Sequence, residues 1–258
     1  MGSLTNAYEL EVLDHILQTG SYSPPATVYL ALFTSDPTET GSVAGEATYT
    51  GYDRTAITFG AAGTPSRGIT QNAQTTFPAC SGGSSVVTHW GLCAAGTKTV
   101  SDMMAYGTFT ASKTITTGYQ PFVASAEVVV SFSAGGISTT FANTVLDWLF
   151  RAQTLTYPTT IQVALFSTAC TDAAAGTELT GNGYARTTCN DWDVAASGAS
   201  ANTSAITFPV ATGDWSAAVM AAVYIDAVYA LWLDTNDLTV LNGEYARFIA
   251  GALDVTLT

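Results

Sequence analysis

The sequence predicts a mainly β protein built from two tandem, homologous antiparallel β-sandwiches of jelly-roll type, each opened by a short helix. Three observations carry this. The chain repeats its own pattern at an offset of 133 residues, first seen in Val28-Tyr29-Leu30-Ala31-Leu32-Phe33 against Ile161-Gln162-Val163-Ala164-Leu165-Phe166. Short apolar, β-branched runs alternate with clusters of Gly, Ser, Pro, Asn and Asp, the signature of antiparallel sheet with frequent turns rather than of βαβ units. Hydrophobic residues make up 47% of 258 residues and aromatics 11%, so a sizeable core is affordable and disorder is excluded.

The elements follow in order. Over residues 7–17, Leu10, Leu13, Ile16 and Leu17 recur at helical spacing, with Asn6 as N-cap and Gly20 as stop. Val28, Leu30 and Leu32 alternate as a strand, and residues 57–59, 86–90, 104–109 and 128–132 supply further strands. The second half restarts with a shorter helix over 143–150, because Val12-Leu13-Asp14-His15-Ile16-Leu17 is answered by Val145-Leu146-Asp147-Trp148-Leu149-Phe150. Gly51-Tyr52-Asp53-Arg54 is answered by Gly183-Tyr184-Ala185-Arg186, Thr76-Phe77-Pro78 by Thr207-Phe208-Pro209, and Gly118 by Gly243. Conserved order with small drifts in offset indicates duplication of one domain. Ser133-Ala134-Gly135-Gly136 reads as the linker, giving repeats at 1–134 and 135–258.

Charge narrows the function classes. Asp plus Glu number 20 against 7 Lys plus Arg, a net charge of −13. Nucleic acid and anionic membrane both need a cationic face, so neither is an expected partner. No apolar run is long enough for a membrane-spanning helix, and Met1-Gly2-Ser3-Leu4-Thr5-Asn6 does not resemble a signal peptide. Charged residues are only 10%, where an ordinary soluble domain has roughly 25%. Such a surface suits a protein covered by neighbours in an assembly, or an extracellular one.

Little in the chain points to chemistry. A Ser-His-Asp arrangement would need His15 or His89, and neither accompanies a G-x-S-x-G elbow. Asp191 and Asp193 flank Trp192, but no carboxylate stands in a plainly apolar context that would make it a general acid. The run from Asp234-Thr235-Asn236-Asp237 to Glu244 lacks the glycine of a calcium loop and reads as a turn. No metal or cofactor is therefore expected. Cys80, Cys93, Cys170 and Cys189 show no C-x-x-C spacing, two per half. Buried thiols are the favoured reading, with one disulfide in each half left open. Trp90, Tyr106, Trp192, Trp215 and Trp232 suit a sandwich core before a sugar platform. Tyr52, Arg54, Tyr184 and Arg186 are expected to be structural, each arginine pairing a carboxylate and holding its loop to the sheet.

The repeated elements resemble a family of tailed-bacteriophage virion proteins, tail-fibre-like or of decoration type. The second half carries the pattern most fully. It has Val163-Ala164-Leu165-Phe166, Gly181-Asn182-Gly183-Tyr184-Ala185-Arg186, Ala205-Ile206-Thr207-Phe208-Pro209, Asp214-Trp215 and Gly251-Ala252-Leu253-Asp254-Val255-Thr256-Leu257. The first half departs at Asp53, where the pattern has Ala. The resemblance implies a non-enzymatic component of the particle, made in the host cytoplasm. Its partners would be other virion proteins, the major capsid protein or tail proteins, and it would be present as a homo-oligomer or in many copies. Head decoration is the first expectation, since two linked sandwiches would add weak lattice contacts through effective concentration. A tail, collar or fibre component, or a receptor- or glycan-binding module, is the alternative.

Overall fold

The structure, a computed structural model, describes residues 2–64, 66–98 and 102–257, and Asn236 by its backbone alone. The first half runs β1 (Gly2–Leu4), α1 (Asn6–Ile16), β2 (Val28–Phe33), β3 (Thr55–Ile57), β4 (Gly68–Thr70), β5 (Thr75–Thr76), β6 (Ser84–Cys93), β7 (Met103–Thr116), β8 (Phe122–Val123) and β9 (Val129–Ser131). The second half runs α2 (Thr139–Arg151), β10 (Ile161–Phe166), β11 (Thr187–Thr188), β12 (Ala199–Ala201), β13 (Ile206–Thr207), β14 (Ala218–Ile225), β15 (Val228–Leu238), β16 (Arg247–Phe248) and β17 (Asp254–Thr256). The protein is mainly β, and the two halves share one topology. The order β3-β2-β6-β7 is matched by β11-β10-β14-β15, the pair β4-β9 by β12-β17, and the pair β5-β8 by β13-β16.

The helices depart in detail from the sequence reading. The N-cap of α1 is Thr5 rather than Asn6, and its hydroxyl donates to the Met103 carbonyl (2.7 Å) instead of capping the helix. The helix ends at Ile16 with Leu17 as C-cap, and Gln18 takes the left-handed conformation (φ 64°) before Gly20 is reached. The second helix starts four residues earlier than the apolar spacing indicates. Ser138 Oγ accepts from the Phe141 amide (3.2 Å) and donates to the Tyr229 carbonyl (2.7 Å), so the cap and the tie to β15 are one group. Strand β7 runs on to Thr116, well beyond its apolar stretch. Its outer part, residues 110–116, is mostly exposed with Ile115 buried, a ribbon paired with β6.

The halves are joined reciprocally. Helix α2 packs on β4 of the first half, and α1 packs on β12 of the second. The Asp14 carboxylate accepts from the Ala195 amide (2.7 Å), and its counterpart Asp147 accepts from the Ala62 amide (2.9 Å). His15 and Trp148, which occupy the same position in the two repeats, stack on each other with ring centroids 4.4 Å apart. Equivalent residues meet each other only at a two-fold axis, so the chain is a fused, approximately two-fold dimer. One continuous core includes Val12, Leu13 and Ile16 with Val145, Leu146 and Leu149, all fully buried. Each such leucine contributes about 2 kcal/mol of burial. A further tie joins Arg67 to Asp172 across the halves.

The symmetry fails at β1. In the first half β1 lies between β7 and β9, giving a sheet of order β3-β2-β6-β7-β1-β9-β4. In the second half the sheet divides into β11-β10-β14-β15 and the separate pair β12-β17.

Candidate functional site

Two equivalent polar clusters dominate the interior, one in each half. Gly51 and Gly183 open the repeated Gly-Tyr-x-Arg segments at φ 96° and 77°. A Cβ on Gly51 would stand 2.7 Å from the Ala79 carbonyl oxygen, and one on Gly183 3.0 Å from that of Val210, so this turn needs glycine. The turn drops the tyrosine ring onto the phenylalanine of the Thr-Phe-Pro segment. Tyr52 stacks on Phe77 at 6.3 Å, and Tyr184 on Phe208 at 6.2 Å. Two motifs distant in sequence are thus one packing unit.

The tyrosine hydroxyls complete the clusters. Tyr52 Oη accepts from the Leu32 amide (3.0 Å) of β2 and donates to Glu46 (2.8 Å). Arg54 grips Glu46 with Nε (3.0 Å) and Nη2 (3.1 Å). In the second half Tyr184 Oη accepts from the Leu165 amide (2.8 Å) and donates to Glu178 (3.3 Å). Arg186 grips Glu178 at 2.9 and 2.7 Å. The glutamates were missed from sequence. The available signal was their recurrence eight residues before each arginine in a chain poor in charge.

The electrostatics of the clusters are those of closed ion pairs. Burial drives the pKa of Tyr52 and Tyr184 upward, and the adjacent glutamates add to the effect, so both hydroxyls remain donors. Burial disfavours the charge of Arg54, but its hydrogen bonds to Glu46 and Asp102 outweigh this and its pKa is raised. For Arg186 the bonds to Glu178 are the leading influence, again upward.

The remaining candidates are placed as follows. His15 is buried at the axis, and burial lowers its pKa. Its Nδ1 accepts from the Tyr22 amide (3.3 Å). His89 lies on β6 with Thr88 Oγ1 at 2.8 Å from its ring nitrogen. Asp191 and Asp193 are exposed, whereas Trp192 is buried and donates to the Cys189 carbonyl (2.8 Å). Trp90 and Trp215 are buried as well, while Tyr106 and Trp232 are half-buried. All four cysteines are free and buried, and burial raises the Cys189 thiol to about 11. Among the described residues no group of three His, Cys, Asp or Glu could hold a metal ion. The side chain of Asn236, part of the calcium-like run, lies outside them.

One expectation is corrected. A carboxylate does stand in an apolar context. Glu9 on α1 is buried, and burial together with Glu39 raises its pKa to about 7. Its counterpart in the second half is the fully buried Ala142, so the group is not part of the plan the two repeats share. No helix among the described residues is long and apolar enough to cross a membrane.

A family model described as Podophage GP4 fiber I protein gp80 matches the chain twice, over residues 3–131 and again over 136–256. A search of curated proteins finds no match.

Proposed function

The chain belongs to the Podophage GP4 fiber I protein gp80 family, a tail-fibre-like family of phage virion structural proteins present here as a duplicated domain, and from that membership we propose that it is a non-catalytic building block of a fibre on the particle. The observation that carries this reading is that the fibre description extends over both repeats, leaving almost no chain for another function. The geometry supports it. The conspicuous buried charges are absorbed by internal ion pairs, and the two halves are locked through one core. The repeats are taken as 1–134 and 135–258. Tyr52, Arg54, Tyr184 and Arg186 serve as ties that hold the Gly-Tyr-x-Arg turn to the sheet. Low surface charge suits faces covered by other virion proteins. The chain needs no metal or cofactor for this work.

The fibre placement differs from decoration of the head lattice in position and number. Particle reconstruction with an antibody label against this chain tests it. Labelled density on fibres is the expected result, and density repeated over the capsid surface would return the protein to the decoration reading.

A further inference from the structure

We infer that the cleft between β15 and β17 receives an extended arm of another virion protein, which adds as a strand antiparallel to β15 and parallel to β17. The first half shows how this slot looks when filled. There β1 pairs with β7 through Gly2↔Gly107, Ser3↔Tyr106 and Leu4↔Ala105, and with β9 through Gly2↔Val130. A single short strand welds the two parts of the sheet together.

In the second half the linker begins the same weld and abandons it. Ile137 pairs with Leu231, as Leu4 does with Ala105, and the Gly136 carbonyl accepts from the Trp232 amide (2.8 Å). At the next rung the chain must turn back toward β9, from which it came. Gly136 and Gly135 take φ of 82° and 100°, and the Gly135 amide is drawn to the Asp172 carboxylate (3.1 Å). The rung equivalent to Gly2 is therefore unmade. What remains is a cleft of about 260 Å³ with Leu231–Leu233 on one side and Asp254–Leu257 on the other.

The facing edges are ready to pair. Amide and carbonyl groups alternate in direction along a strand, so Asp234 points the same way as Trp232, into the cleft. Among the described residues no backbone hydrogen bond reaches Asp234 from that side, and β17 pairs only with β12. Strand addition to such an edge draws affinity from main-chain hydrogen bonds. The neighbouring interior also differs from the first half. A Cβ on Gly2 would meet the Trp90 ring and the Tyr106 carbonyl oxygen, each at 2.3 Å, whereas the second half has Ala221 paired with Leu233 where the first has Trp90 paired with Gly107.

Charge selects the occupant. Asp254 is exposed on the rim of the cleft and takes part in no ion pair among the described residues, while Asp234 lines the adjoining cavity together with Arg247. A second copy of this chain, at −13, would bring more negative charge, and its own β1 is already seated with Leu4 buried. The fitting partner is a different chain whose arm carries an apolar residue beside Leu233 and a lysine or arginine facing Asp254.

The test uses whole particles and the isolated full chain. Asp234→Pro removes the amide that faces the cleft and leaves the pairing with β14, a substitution an edge strand tolerates. It is expected to melt within about 3 °C of the parent yet to enter particles at least ~10-fold less, with Asp234→Ala entering normally. Normal entry of a folded Asp234→Pro chain would overturn the inference. Should that variant not fold, hydrogen exchange on the parent decides. The Asp234 amide is expected to slow by about 100-fold or more in particles, and an unchanged rate rejects the slot. Cross-linking from position 235 names the occupant, and a second copy of this chain there would reject the assigned partner. The inference rests on the fibre reading only in placing the chain on the particle. Absence from particles would sink that reading, whereas presence with an open cleft would sink this one alone.

Discussion

The two Tyr-Glu-Arg clusters keep the same hydrogen bonds and differ in what covers them. Over the first, Ala95, Lys98 and Asp102 close in. Arg54 Nη1 donates to the Ala95 carbonyl (3.0 Å) and to Asp102 (2.7 Å), and Lys98 donates to the Tyr52 carbonyl (3.1 Å). The Arg54 side chain is wholly buried. In the second half β14 and β15 are joined by a tight turn, with Asp226 and Ala227 both in the left-handed region. Among the described residues no such cover lies over Arg186. Arg186 remains 29% exposed and lies flat against Tyr224, 3.6 Å from the ring centre. A buried guanidinium acquired a second carboxylate, and an exposed one made do with one carboxylate and an aromatic face. Duplication preserved the tie, and each copy then solved desolvation in its own way.

The comparison is broken first at the axis, where the halves are predicted to depend on each other most. Trp148→Ala should destabilise the protein by about 3–5 kcal/mol, the usual loss for a buried tryptophan. Calorimetry should show one transition for the whole chain. Two separate transitions, with only the second moved, would mean that the halves are independent. The clusters come next. Arg54→Ala leaves Glu46 and Asp102 without their buried partner and should cost about 3–5 kcal/mol. Arg186→Ala loses a partly solvated pair and a ring contact, about 1 kcal/mol in all after screening. Denaturant titration of the two variants checks the order, and equal losses would show that the covering residues add nothing. Loss of particle attachment by Arg186→Ala at unchanged stability would instead make that arginine a binding residue.

The smallest effect belongs to Glu9, whose counterpart is alanine. Its folded pKa lies above the ordinary 4.5, at about 7, so the native state holds a proton that the unfolded chain releases. Stability from this group is present below about pH 4.5 and is lost as pH rises toward 7. Glu9→Gln should therefore raise the melting temperature at pH 8 and leave it nearly unchanged at pH 4. A gain of equal size at both pH values would show that the carboxyl is not held protonated.

Much of this was legible in the sequence, because duplication displays shared structure twice. The recurrence of Gly-Tyr-x-Arg and Thr-Phe-Pro marked the cluster before its geometry was known, and the aligned Val-Leu-Asp segments contained both inter-half aspartates. Three things were not legible. Apolar spacing shows which face of a helix is covered but not by which body, so the bridging of the halves by α1 and α2 was invisible. His15 and Trp148 aligned in sequence, yet alignment says nothing about two equivalent positions touching. The acidity of Glu9 depends on burial against the opposite repeat, a property of assembly rather than of its neighbours in the chain.

The unmatched β1 has one more consequence. Two identical ends would let molecules join back to back and stop there. Here one end is plugged by its own leading residues and the other stays unplugged, so the molecule has a polarity like that of an arrow.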